Sequence, residues 1–246
     1  MNKTDIITGL KNPCKVPKYL YHRMKEFKYY FDFQNLEVDE QVLSNYKQAR
    51  EKIELEFQSL SGQTRGENYS PGVVSREDAE NLKGLIQEQE PDIVVETGVC
   101  NGMSTLAILE SLDASGKLCS IDLPEKPNSS EDEFWSGKGG SVIPPNKSPG
   151  WIIPEDLREN WELILGNSMY ELPDLLEDLE KIDIFIHDSE HSYEMMMFEF
   201  CLAWKHLKKG GYLVCDDHNW NNAFHDFAEE KELAKYRIGN LGLVQK

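Results

Sequence analysis

The chain has 246 residues and a formal net charge of −18, with 44 acidic against 26 basic side chains. That length suits one catalytic domain with an extension, and that charge argues against a nucleic-acid partner, whose phosphates need a basic surface. No apolar run is long enough to span a bilayer, and the opening MNKTDIITGLKNP is polar and broken at Pro13, which excludes a membrane anchor or signal peptide from the expectation. Five cysteines (Cys14, Cys100, Cys119, Cys201 and Cys215) form no C-x-x-C pair. They predict reduced thiols in a cytoplasmic protein, with Cys119 and Cys215 inside strands.

Residues 1–70 read as an N-terminal helical extension to a domain spanning 71–246. Two helical pieces are expected, over 17–31 and 39–60, the first rich in aromatics (Tyr19, Tyr21, Phe27, Tyr29, Tyr30, Phe31). Such aromatics pack a core or an interface, so these helices are expected to cover the substrate site or to carry a homo-oligomer contact. A turn-rich linker at 60–72 precedes SREDAENLKGLIQ, where Ser75 and Asp78 approximate a capping box.

The segment DIVVETGVCNGMSTLAILESL, residues 92–112, is the most informative in the chain. A short β-branched run predicts a buried parallel strand, Glu96 falls at its tip, Gly98 and Gly102 bracket a turn, and 103–112 carries helical spacing. Such a turn lets backbone approach a ligand closely. Its pattern is E-x-G-x-x-x-G-x-S, without the close glycine pair that accommodates a pyrophosphate. A carboxylate at the tip would repel phosphate but accept hydrogen bonds from an ammonium group, which favours S-adenosylmethionine over a dinucleotide. The plainer reading is a tight strand-to-helix connection.

KLCSID predicts a second strand ending at Asp122, roughly 24 residues beyond Gly98, near where an acidic residue binds ribose in nucleoside-binding α/β folds. The interval 123–160 follows, with six prolines and with Phe134, Trp135 and Trp151. A connection this long is expected to be an ordering lid or insertion, with PEDLREN as a short helix. WELIL at 161–165 is a third strand, followed by a polar turn at 166–168 and a helix over 169–179. IDIFIHD is a fourth strand ending at Asp188, followed by a helix over 192–207 with a basic end and glycine stop at 208–211. YLVCDD is a fifth strand ending at Asp216, and KYRIGNLGLVQK suits an antiparallel hairpin turning at Gly239 and Asn240. The alternation predicts a Rossmann-like, doubly wound α/β sheet, mostly parallel, with a C-terminal antiparallel hairpin.

Ligands of open parallel sheets bind beyond the carboxyl ends of the strands. Asp188, Asp216 and Asp217 stand at the tips of two strands one crossover apart, and three converging carboxylates repel unless a cation sits among them. Oxygen donors with room for water and substrate suit Mg²⁺ or another divalent cation better than Zn²⁺. The plainer reading makes Asp216 and Asp217 helix caps. A rival set for Zn²⁺ or Fe²⁺ is His187, His191 and His218, although alternation points His187 away from Asp188.

The order and spacing of ETGVCNGMS, HDSEHSYE and VCDDH resemble the class I S-adenosylmethionine-dependent methyltransferases over about residues 70–230. Within that class the chain is similar to the metal-dependent O-methyltransferases, which include catechol-type enzymes and the sugar methyltransferases of macrolide tailoring. The resemblance implies contacts from Glu96, Gly98, Gly102 and Ser104 to the methionine part of the cofactor and from Asp122 to the ribose. It places the turn of Asn167 and Ser168 against the adenine. Asp188 is expected to serve cofactor and metal alike. His191, three residues past Asp188, stands where related sugar O-methyltransferases carry a histidine and catechol-type enzymes a lysine. Histidine titrates near neutral pH and could take a proton from a hydroxyl; a surface or capping histidine is the plainer reading. His22, His206 and His225 lie on helix faces and receive no role. The expected function is methyl transfer to a hydroxyl of a small-molecule acceptor, such as a sugar or natural product. A hydroxylase or oxygenase on the same fold, and a non-catalytic cofactor-binding protein, are the alternatives.

Overall fold

A computed structural model of the chain describes residues 30–32, 40–60, 73–124, 143–144 and 147–246. The elements in chain order are β1 (Tyr30–Asp32), α1 (Glu40–Leu60), α2 (Arg76–Gln89), β2 (Ile93–Thr97), α3 (Met103–Leu109) and β3 (Lys117–Asp122). A 3₁₀ turn (Glu155–Asn160) then leads to β4 (Trp161–Leu165), α4 (Ser168–Leu179), β5 (Ile182–His187), α5 (Tyr193–His206) and β6 (Leu207–Cys215). The chain ends in α6 (Ala223–Glu230), β7 (Lys235–Ile238) and β8 (Leu241–Gln245). Residues 17–29, the 61–72 linker, Cys14, His22, Phe134 and Trp135 carry expectations that lie outside the described residues.

The strands form one sheet in the order β1-β7-β8-β6-β5-β2-β3-β4. Pairing is parallel from β4 through β6, and β8 is antiparallel to both β6 and β7. Because β3 and β4 lie on one side of β2 and β5 on the other, strand order reverses at β2 and β5. That reversal opens a crevice at their carboxyl ends.

Alternation along the strands supplies both faces of the core. Val94, Ile184 and Ile186 pack with Ile53 of α1, Leu82 and Leu85 of α2, Leu106 and Ile108 of α3, and Ile152. Their neighbours Val95 and Phe185 point the other way, into Leu172, Leu176, Met196, Phe200, Phe224 and Phe227 of α4, α5 and α6. With successive side chains on opposite faces, two buried layers follow from near-continuous apolar strands. Ser75 caps α2, its Oγ accepting from Asp78 N at 3.1 Å. Asp78 Oδ1 in turn accepts from Asn240 N at 2.7 Å, which ties the C-terminal hairpin to α2.

Two local expectations are corrected. Tyr30 and Phe31 are not helical; they belong to β1, which pairs in parallel with β7. The free edge of β7 offers backbone groups to a β-prone aromatic segment, a long-range option no local period reveals. Residues 208–211 are not a helix end with a glycine stop, since α5 ends at His206 and β6 begins at Leu207. The register with β5 jumps there, from Ile182↔Leu207 to Ile184↔Tyr212, so the extra residues bulge out. Lys208 at the bulge reaches Asp183 at 2.7 Å and Asp92 at 3.2 Å.

Candidate active site

The carboxyl tips of β2, β3, β5 and β6 are drawn together by backbone bonds that continue past the strands. Gly98 N donates to Ile121 O, Asp188 N to Thr97 O and Asp216 N to His187 O, at 2.8–2.9 Å. Gly98 is indispensable to this closure. Its φ is +90°, and a Cβ there would meet the Asp188 carbonyl oxygen at 2.0 Å. Gly102, at φ +101°, likewise lets Gly150 approach; an added Cβ would stand 2.9 Å from the Gly150 Cα.

Asp122 braces the same turn. Its Oδ2 accepts from Val99 N at 3.0 Å and Cys100 N at 2.6 Å, and its Oδ1 from Leu123 N at 2.7 Å. Burial raises its pKa, and these three N–H donors work against that rise. Glu96 lies beneath the turn with no exposed surface. Its Oε1 accepts from Ser104 Oγ at 2.7 Å, and its Oε2 from Thr105 Oγ1 and Ser120 Oγ, each at 2.8 Å. Burial pushes its pKa up to about 7 against these three hydroxyls. The part of the insertion that is described packs on the turn. Gly150 N donates to Cys100 O at 2.9 Å, and the half-buried Trp151 donates from Nε1 to Asn101 Oδ1 at 2.8 Å. Lys52 of α1 and Lys147 stand 5.1 and 4.9 Å from the Trp151 ring, a cation–π distance.

A stability prediction follows from Glu96. A raised carboxyl pKa means that folding loses favour as pH rises through the folded value, because the unfolded chain ionises freely while the buried acid cannot. Relative to Glu96→Gln, the wild type is therefore expected to lose on the order of 3 kcal/mol between pH 4.5 and pH 8. Urea unfolding of both proteins across that range measures the difference; parallel profiles would show that Glu96 carries no linked proton.

Beyond the turn, ligand atoms of Asp188, His191 and Asp216 all lie within 4.8 Å of one another, and all three residues are half-buried. Burial raises the pKa of both acids, Asp188 well above its usual range and Asp216 to about 6. The two carboxyls interact directly, and their shared burial disfavours ionising both at once. Two acids held together this way suit a divalent cation in place of a shared proton, and the donor set fits one. Asp217 stands outside this cluster, at φ +47°, with Oδ1 accepting from Asn240 Nδ2 at 3.3 Å. His187 and His218 are also turned elsewhere. His187 Nδ1 faces Glu199 at 2.7 Å and His218 Nδ1 faces Asn240 O at 3.0 Å. Burial lowers the His218 pKa to about 4, which leaves it a neutral donor to that carbonyl. Of the rival set His187, His191 and His218, only His191 stands in this cluster.

Several residues of the site have no signal in the linear sequence. Glu199 of α5, also fully buried, accepts from Thr97 Oγ1, His187 Nδ1, Ser168 Oγ and Ser189 Oγ. The His191 backbone carbonyl accepts from Asn221 Nδ2 at 2.9 Å. Trp220, 69% exposed, tilts its ring 5.8 Å from that of His191. A glutamate inside a helical pattern reads as solvent-facing until the helix is docked.

A parallel sheet reversing at β2, a glycine turn at its tip, an acid closing the next strand and an antiparallel C-terminal hairpin define a Rossmann-like methyltransferase fold. The family model described as a methyltransferase domain matches residues 95–218, the span from the tip of β2 to the acids after β6, and the chain belongs to that family. It is thus an S-adenosylmethionine-dependent methyltransferase of class I.

Solved structures agree in fold. An O-methyltransferase from Bacillus cereus in complex with SAH is 16% identical, covering 82% of this chain and 91% of that one, with a TM-score of 0.53. A methyltransferase from Geobacter sulfurreducens is 16% identical over 94% and 96% of the two chains, with a TM-score of 0.52. A putative O-methyltransferase from Klebsiella pneumoniae is 14% identical over 84% and 88%, with a TM-score of 0.50. No curated protein matches the chain by sequence.

Proposed function

We propose that this enzyme moves the methyl group of S-adenosylmethionine to a hydroxyl oxygen of a small molecule, such as a sugar or natural product, with Mg²⁺ or a similar cation. The observation that carries this reading is the cluster of Asp188, His191 and Asp216 directly beyond the Gly98 turn. Two carboxylates and an imidazole there suit an oxygen nucleophile that must lose a proton, whereas a cofactor-binding module has no use for them.

In this reading Gly98, Gly102 and Ser104 lie against the methionine moiety, with Glu96 acting from beneath through the Ser104 hydroxyl it holds. Asp122 binds the ribose with the accepting capacity left by its backbone bonds, and Ser168 lies on the adenine side. Asp188 and Asp216 hold the cation, with Asp217 at its margin, and Asp188 also faces the cofactor. When bound, the cofactor supplies an electrophilic methyl and the cation supplies stabilisation of an alkoxide. His191 accepts the hydroxyl proton, and the tips of β2, β5 and β6 fix the approach of the oxygen. The described part of 123–160, with Trp151 on the glycine turn, forms one wall of a lid that excludes water. Free thiols at Cys100, Cys119, Cys201 and Cys215 suit the reducing cytoplasm.

Exhaustive chelation with EDTA is expected to abolish turnover, and added Mg²⁺ or Mn²⁺ to restore it, while calorimetric affinity for S-adenosylhomocysteine changes much less. Full turnover in the chelated enzyme would take the cation out of the reaction.

A further inference from the structure

A buried carboxylate that no expectation singled out joins the segments of the proposed cofactor site. Glu199 Oε2 accepts from Thr97 Oγ1 and His187 Nδ1, each at 2.7 Å. Its Oε1 accepts from Ser168 Oγ at 2.6 Å and Ser189 Oγ at 2.9 Å. Thr97 precedes Gly98 of the cofactor turn, His187 and Ser189 flank Asp188, and Ser168 opens α4 on the adenine side. Four donors fill the lone-pair sites of one carboxylate, which has no exposed surface. Burial alone would raise its pKa, but the bonds from His187, Ser168 and Thr97 prevail and hold it below the usual range. The group therefore stays an anion, and a buried anion with four short bonds fixes its donors more tightly than neutral pairs would.

We infer that Glu199 is a positioning residue of the cofactor site, locking the tips of β2 and β5 and the turn after β4 into one geometry. The inference rests on the reading of this edge as the cofactor site. Glu199 touches neither cofactor nor acceptor; it acts through Thr97, Ser168, His187 and Ser189. Thr97 lies 102 residues away in sequence and Ser168 lies 31, so the hub closes loops that local structure leaves independent.

Calorimetric titration of the full chain with S-adenosylhomocysteine tests this, alongside the melting temperature of each protein. Glu199→Gln keeps the size of the side chain and removes its charge. The serine and threonine hydroxyls can turn to meet an amide, so the fold is expected to survive. We expect the variant to bind S-adenosylhomocysteine about tenfold more weakly than wild type. Thr97→Val, which removes only one donor to the hub, should lose about threefold, and that loss should vanish in the Glu199→Gln background. A variant that melts earlier yet binds with wild-type affinity would make Glu199 a plain structural brace and overturn the inference. If Glu199→Gln does not fold, Thr97→Val and Ser189→Ala decide the matter, and unchanged affinity in both overturns it. A wild-type protein that binds no S-adenosylhomocysteine would instead sink the cofactor reading, and the inference with it.

Discussion

Asp188→Asn is expected to lower methyl transfer on the order of 10³-fold while making the cation-free protein more stable. The two effects have one origin. Asp188 and Asp216 are packed close enough to share a proton; burial raises both pKa values, with repulsion from Asp216 adding to it at Asp188 and repulsion from Asp217 at Asp216. Without a cation, ionising the pair costs stability, and that cost grows as pH rises through the folded pKa values. An amide in place of Asp188 removes the repulsion and can donate to Asp216, so at pH 8 in EDTA the variant should gain about 1–3 kcal/mol. It also removes the charge a divalent cation requires. Mg²⁺ should therefore raise the melting temperature of the wild type at pH 8 and leave that of the variant nearly unchanged. Such a gain of stability with a loss of function marks a site built for its ligand rather than for the fold. Equal or lower stability together with retained turnover would show that the pair has no part in catalysis.

His191→Ala is expected to reduce kcat by about 10²–10⁴-fold, the usual contribution of a general base, with S-adenosylhomocysteine affinity nearly intact. A free alcohol is almost wholly protonated at neutral pH, so its oxygen becomes a competent nucleophile only as the proton leaves. His191 stands in the cluster with Asp188 and Asp216, while Asn221 holds its backbone and the exposed Trp220 ring lies 5.8 Å away. The pH–rate profile of the variant should also lose its limb near neutrality. An alanine variant that kept wild-type kcat and the same profile would make His191 structural and place the base elsewhere.

The strands of the catalytic sheet were legible in the sequence because each is a short apolar run ended by a polar tip. The turn after β2 was legible as well, since its glycines answer a steric demand: at Gly98 the Asp188 carbonyl occupies the space of a Cβ. The acids at the tips could be proposed as partners because one crossover separates β5 from β6. Periodicity misled where a helix runs straight into a strand. Lys208–Gly211 resembles a helix end, yet Leu207 already pairs with Ile182 and the glycines serve a bulge.

The sequence by itself therefore determined the parallel α/β order, the strand-tip carboxylates and the glycine turn after β2, because each rests on spacing within one element or one connection. Only the tertiary structure decided which of those groups meet. It drew Asp188 and Asp216 to His191 and left Asp217 beside Asn240, it set Trp151 against Asn101 of the glycine turn, and it paired β1 with β7. It also revealed Glu199, since a glutamate in a helix has no pattern that distinguishes a solvated side chain from a buried hub. Its fate depends on four donors brought in from other segments, and such long-range hydrogen bonds form only once the sheet and helices have closed around them.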